Sequence, residues 1–375
     1  MSIFEELNLR RFLNAEDTFT ANGASCMPEE VYRAMREISG AWVDLEQMQR
    51  STGEALARLT HNEAAYVSAG AANALTLCAA MAISGGERET FLALPDSSRC
   101  EQDQVIVLAP QKNPYCRSIA ASGAKLCWAG APGEYLTIGE LEAAVTEKTA
   151  AIFYFIYHGA ALCPSLEAVL ELAARHAVPV FVDAAAQLPP AENLWKYTGM
   201  GADLVLFSGG KGLAGPQDSG LILGKRRWIE NMLALGAPHE GICRGSKVTR
   251  EAMAGLYAAV KRFVSCSEQE RQEELLAKCA QAQELMIRFG FLNVRLEPFG
   301  PVGQSSPRVL GRPAGVSGQA LRKALREDGL LVGWEEATGD ISFHPQMLTL
   351  EQTREACRIL ETRLRAEGIR PAKEE

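Results

Sequence analysis

Lys211 follows the apolar run Leu204-Val205-Leu206-Phe207 and sits among glycines, in Ser208-Gly209-Gly210-Lys211-Gly212. A second apolar run, Val178-Pro179-Val180-Phe181-Val182, closes on Asp183. Short apolar runs of this kind read as buried strands. An acid closing one strand and a lysine just past the next can together hold pyridoxal phosphate (PLP). The lysine forms a Schiff base with the aldehyde, and the carboxylate pairs with the pyridinium nitrogen, raising its pKa and keeping it protonated. Flanking glycines keep bulk away from a lysine that must reach a cofactor. Burial lowers such a lysine's pKa and suits it to act as nucleophile and base. The chemistry would fall on the amino group of an amino acid or amino sugar acid. Each residue also has a plainer reading: Asp183 as a helix N-cap, Lys211 as a surface lysine in a glycine-rich turn. The pairing favours the cofactor. A nucleotide phosphate loop is excluded, because it needs glycine at position 205 and Ser or Thr at 212, where the chain has Val205 and Gly212.

Other residues complete a candidate site. Ser68, Ala69, Gly70, Ala71 and Ala72 form a small-residue turn between a short strand and an Ala/Leu-rich helix. Such a turn leaves free backbone N–H groups at the helix's positive end, which suits a phosphate. Ser68 adds a hydroxyl donor, and Ser208 is a further phosphate candidate. Gln187 lies one helical turn after Asp183 and either faces the cofactor or bonds within its loop. His158 ends an apolar strand, and ligands bind outside that edge of such sheets, so it is a substrate candidate. Arg244 and Lys247 suit an anionic substrate group or the cofactor phosphate of a neighbouring subunit. Their plain alternative is solvated loop charge.

The elements that must carry these residues alternate. Strand patterns fall at residues 64–67, 105–108, 125–128, 149–157, 178–182, 203–207 and 219–223, with helical patterns at 44–59, 73–83, 118–122, 138–145 and 165–176. This predicts an α/β fold with a mostly parallel sheet covered on both faces. Residues 14–24 read as polar and turn-prone, and 249–289 as one long charged helical connection. From about residue 290 a smaller α+β unit follows, with strands at 292–296, 308–310 and 341–343. The expected organisation is an N-terminal arm (1–45), a large cofactor domain (46–245), connecting helices (246–289) and a small C-terminal domain (290–375) that packs with the arm.

Composition agrees with an enzyme of ordinary make-up: 375 residues, 47% hydrophobic, 22% charged, net charge −8. An acidic chain without a basic block lacks the phosphate-neutralising charge of a nucleic-acid binder. The ten cysteines form no Cys-x-x-Cys pair and the five histidines show no metal-ligand spacing, so neither a zinc site nor a disulfide framework is expected. Met1-Ser2-Ile3-Phe4-Glu5-Glu6-Leu7 lacks the features of a signal peptide, and no apolar stretch reaches membrane-span length. The expected location is the cytoplasm, with no membrane partner.

The motifs Asp183-Ala184-Ala185-Ala186-Gln187 and Ser208-Gly209-Gly210-Lys211-Gly212, in their surroundings at 182–190 and 201–220, resemble the selenocysteine-synthase-like group of fold-type I PLP enzymes. The likeness extends from about residue 10 to 260 and is nearest to the D-glucosaminate-6-phosphate ammonia-lyase branch. It implies an aspartate-aminotransferase-like fold with a seven-stranded large-domain sheet. It implies Lys211 as the Schiff-base lysine, Asp183 as the pyridinium partner, and Ser68 to Ala72 with Ser208 at the phosphate. It also implies a homodimer or higher homo-oligomer acting on a small amino substrate. The implied reaction is α,β-elimination from an amino acid or 2-amino-2-deoxy sugar acid. The alternatives are an aminotransferase, a β-replacement transferase, or a PLP-binding protein without turnover. Two departures stand out. Asn14-Ala15-Glu16-Asp17-Thr18 replaces the usual Asn-Ala-Ser-Gly-Thr, bringing two carboxylates into a segment expected near the active site. Gln111 stands where relatives carry a histidine that stacks on the cofactor ring.

Overall fold

A computed structural model describes residues 2–157 and 159–371. In chain order its strands are β1 (Leu13–Ala15), β2 (Ala64–Ser68), β3 (Gln104–Leu108), β4 (Lys125–Ala129), β5 (Thr149–Phe155), β6 (Val180–Asp183), β7 (Leu204–Ser208), β8 (Gly220–Gly224), β9 (Leu292–Glu297), β10 (Arg308–Arg312), β11 (Leu330–Glu335) and β12 (Asp340–Phe343). The chain divides into two units, Ser25–Ser265 and Met1–Ala24 with Cys266–Glu375.

The large unit is built on a seven-stranded sheet of order β2-β8-β7-β6-β5-β3-β4. β4, β3, β5, β6 and β7 are parallel, and β8 runs antiparallel to both of its neighbours. Successive side chains of the central strands enter opposite layers. Ile106, Ile152, Val180 and Val205 join one core, and Val107, Phe153, Phe181 and Leu206 join the other. Burial on both faces is why these strands read as unbroken apolar runs. The helix Leu45–Leu59, N-capped by Asp44 through the Gln47 amide at 3.0 Å, packs Leu56 and Ala57 into the first core. The helix Gly70–Ser84 is buried nearly all round in the second, which its uniformly apolar composition requires.

This topology sets one edge for chemistry. β2 and β7 both oppose β8, so they run in the same direction, and Ser68 and Ser208 each pair with Gly220. The C-terminal ends of β2, β5, β6 and β7 therefore share one side of the sheet.

The small unit holds a five-stranded sheet of order β1-β11-β12-β10-β9, with β1 parallel to β11 and the remaining pairs antiparallel. Its helices Glu268–Arg288, Gly318–Glu327 and Leu350–Ala366 close a core that includes Phe289, Leu325, Phe343 and Leu360.

Two local features go beyond the sequence pattern. The helical connection over residues 249–289 is made of two helices. It breaks into Arg250–Ser265 in the large unit and Glu268–Arg288 in the small, because the Ser267 hydroxyl accepts the Glu270 amide and starts a new helix. The polar segment 14–24 is not all turn, since its first residues belong to β1. Among the described residues no helix is long and apolar enough to cross a membrane.

Candidate active site

Asp183 is the last residue of β6. It lies opposite Phe155 on one side and Leu206 on the other. The half-buried carboxylate accepts the Ala185 amide at 2.9 Å through Oδ1. Burial pushes its pKa up, the Ala185 bond and the Lys211 charge pull it down, and the net direction is up. A carboxyl in that state gains from a further cation or N–H donor set against it.

Lys211 is half-buried and held by its own loop. The Gly209 amide donates to Ser219 O at 2.8 Å, the Gly215 amide to Gly209 O at 2.8 Å, and the Ala214 amide to Lys211 O at 2.9 Å. The Ser25 hydroxyl donates to Gly210 O at 2.7 Å. Gly212 is obligatory, because a Cβ there would lie 2.2 Å from the Leu188 carbonyl oxygen. That close approach brings the loop after Asp183 against the loop of Lys211. The Ser208 amide also donates to Ala185 O at 3.1 Å, which locks the two strand ends together.

The third part is the start of the helix Gly70–Ser84. Ala69 offers no capping side chain, Gly70 has φ +80°, and the space where its Cβ would stand is open. The first amides of a helix lack intrahelical acceptors and carry its positive end. An uncapped helix start that opens on free space suits an anion. Ser208, half-buried, lies on the far side of Gly220 from Ser68. The acid, the amine and the uncapped helix start thus occupy one sheet edge.

Residues 18–288 match the family model of SelA, L-seryl-tRNA selenium transferase. The chain belongs to the SelA family of enzymes. It is 31% identical over 267 residues to D-glucosaminate-6-phosphate ammonia lyase of Salmonella typhimurium (strain 14028s / SGSC 2262), covering 70% of each chain. It is 27% identical to 5'-C-glycyluridine monooxygenase-decarboxylase of Streptomyces sp, covering 98% of this chain and 93% of that one. A solved D-glucosaminate-6-phosphate ammonia-lyase superposes with a TM-score of 0.83 at 25% identity, covering 98% and 99% of the two chains. The fold is the aspartate-aminotransferase-like one.

Other residues singled out from the sequence take varied places in this SelA-family structure. Ser68 is buried and its hydroxyl donates to Gly70 O at 3.1 Å, so its proton is committed to the backbone. Gln187 is buried, and its carbonyl accepts from Asn193 Nδ2 at 2.7 Å. Gln111 is fully buried, with Oε1 accepting the Phe155 amide at 2.8 Å. The carboxamide oxygen thereby closes the end of β5. Arg244 and Lys247 are exposed, at and just after the 3-10 turn Ile242–Ser246. His158 lies outside the described residues.

The two unexpected carboxylates belong to the small unit and are engaged there. Glu16 pairs with Arg322 at 2.6 Å and accepts from Asn22 at 2.7 Å. Asp17 accepts from the Thr18 amide at 2.7 Å and from Gln304 at 3.3 Å, with His344 Nδ1 3.5 Å away. The Ser25 contact had no sequence signal, being made by a single serine in a loop. Among the described residues no group of three or more His, Cys, Asp and Glu is arranged to hold a metal ion.

Proposed function

We propose that this SelA-family enzyme is a PLP-dependent lyase that performs α,β-elimination on a 2-amino-2-deoxy sugar acid carrying a phosphate. The observation that carries the cofactor is the meeting of Asp183, Lys211 and the open start of helix Gly70–Ser84 at one sheet edge. The substrate class is supported by the ammonia-lyase relative and the solved ammonia-lyase that covers nearly the whole chain. PLP, when bound, supplies an electron sink for the carbanion formed at the substrate α-carbon.

The protein's own groups divide the remaining work. Asp183 would hold a proton on the ring nitrogen, a partner that its burial-raised carboxyl otherwise lacks. Lys211 Nζ is the point of attachment. Once free of the cofactor, its amine would be the base that takes the α-proton. The amides at the start of helix Gly70–Ser84 and the Ser208 hydroxyl bind the phosphate, with Ser68 shaping the turn. Arg244 and Lys247 supply positive charge for an anionic group of substrate or cofactor. Gln187 backs the Asp183 loop.

The same reading includes a homodimer or larger homo-oligomer and a cytoplasmic location. Ten unpaired cysteines suit a reducing compartment. A β-replacement reaction on a charged tRNA is disfavoured by the net charge of −8.

The test begins with the absorbance spectrum of the purified protein after PLP addition. A visible band that borohydride bleaches, and that Lys211→Ala lacks, is expected. Ammonia release from D-glucosaminate 6-phosphate, lost in Lys211→Ala, is the expected activity. Absence of the band would overturn the cofactor. A band with amino transfer to an oxo acid and no ammonia release would replace lyase by aminotransferase.

A further inference from the structure

The turn Ile242–Ser246 is held from its inner side. Cys243 is buried in the core that also contains helix Gly70–Ser84, and Ile242 packs against that core. The Ser246 hydroxyl donates to Asn73 Oδ1 at 2.7 Å, bridging 173 positions of sequence. Asn73 donates from Nδ2 to Ala69 O at 2.5 Å. One carboxamide therefore ties the residue before the helix, the first turn of the helix and the distant loop. Both halves of the amide are needed, since one contact uses its N–H and the other its oxygen.

Residues three apart share a face of a 3-10 turn. Cys243 and Ser246 are three apart and face inward, toward the helix. Arg244 lies in the turn and Lys247 directly follows it in extended conformation, and both are exposed. The turn is thus anchored on its inner side and carries exposed cations in and just after it.

We propose that Asn73 and Ser246 are positioning residues that hold Arg244 and Lys247 beside the start of helix Gly70–Ser84, so that two cations from a distant loop of the same chain complete the anion cradle. The proposal rests on the reading of that helix start as a phosphate site. A helix start offers only about half a positive charge, whereas a phosphate monoester carries about −1.5 to −2. Cations held within the Debye length of about 8 Å make up part of the difference. A loop free to swing away would not.

The test compares the affinities of the full-length protein for pyridoxal phosphate and for unphosphorylated pyridoxal. The ratio isolates the phosphate. Ser246→Ala and Asn73→Ala should each weaken pyridoxal phosphate about threefold to tenfold, the effect of one or two exposed charge interactions, and leave pyridoxal unchanged. The double variant should lose no more than either single one. Ser246→Thr, which keeps the hydroxyl, should retain the wild-type ratio. Arg244→Gln with Lys247→Gln should reproduce the loss without touching the latch. If the latch variants weaken both aldehydes equally, or weaken neither, the positioning role is overturned while the cofactor reading stands. If wild-type protein binds neither aldehyde, the cofactor reading falls and takes the latch with it.

Discussion

The carboxamide oxygen of Gln111 accepts the amide hydrogen of Phe155 at 2.8 Å, and Phe155 lies directly opposite Asp183 in the neighbouring strand. The Ile156 amide then donates to Asp183 O at 3.0 Å. A residue past the end of β3 thus closes the end of β5, and β5 fixes the main chain of the acid. Gln111 is thus a buried brace for the end of β5.

Gln111→Leu keeps the bulk and removes the acceptor, leaving the Phe155 N–H buried and unpaired. Such a loss costs about 1–3 kcal/mol. Urea unfolding should show a lower midpoint of that size. An unchanged midpoint would mean that the brace contributes nothing.

Gly212→Ala sets a methyl 2.2 Å from the Leu188 carbonyl oxygen. The neighbour is backbone and cannot rotate away, so the loops carrying Asp183 and Lys211 must separate. Overpacking of this kind costs about 1–3 kcal/mol. The variant should also bind less pyridoxal phosphate, read as a smaller visible band at equal protein concentration. A full-strength band would show that the close approach does not position Lys211.

Asp183→Asn should move stability and activity in opposite directions. Burial raises the Asp183 pKa, with the Ala185 amide and Lys211 opposing. An acid whose folded pKa exceeds its unfolded one contributes stability below the unfolded pKa and loses it as pH rises through the folded value. In cofactor-free protein above the unfolded pKa, the buried carboxyl is therefore a liability that asparagine removes. Thermal melts should show apo Asp183→Asn at least as stable as wild type, while turnover is lost. A marked drop in apo stability would contradict the assigned direction.

Asp17 carries the opposite sign. Burial pushes its pKa up, but His344, the Thr18 amide and Gln304 outweigh burial and hold it below the usual 3.8. Its stabilisation is present above the unfolded pKa and lost as pH falls through the folded one. Urea midpoints followed from about pH 5 down to about pH 3 should fall less steeply in Asp17→Asn than in wild type. Parallel acid limbs would rule the linkage out.

The sequence by itself determined the large sheet. Strands buried on both faces must be apolar throughout, and that pattern survives without knowledge of any neighbour, so the central strands are visible from the local pattern alone. It also determined the motifs around Asp183 and Lys211, because strand ends and glycine-rich turns are local features. The strand pair β1 and β11 escaped notice. Three residues, Leu13–Ala15, become a strand only by lying along Leu330, Leu331 and Val332, a partnership more than 300 positions long that no local pattern encodes. The break at Ser267 was hidden for a related reason, since helical composition runs on through a cap. The roles of Gln111, Glu16, Asp17, Ser246 and Asn73 were decided by the tertiary structure. A polar side chain has the same letter whether it faces a ligand or a backbone amide, and only the fold determines which partner reaches it first.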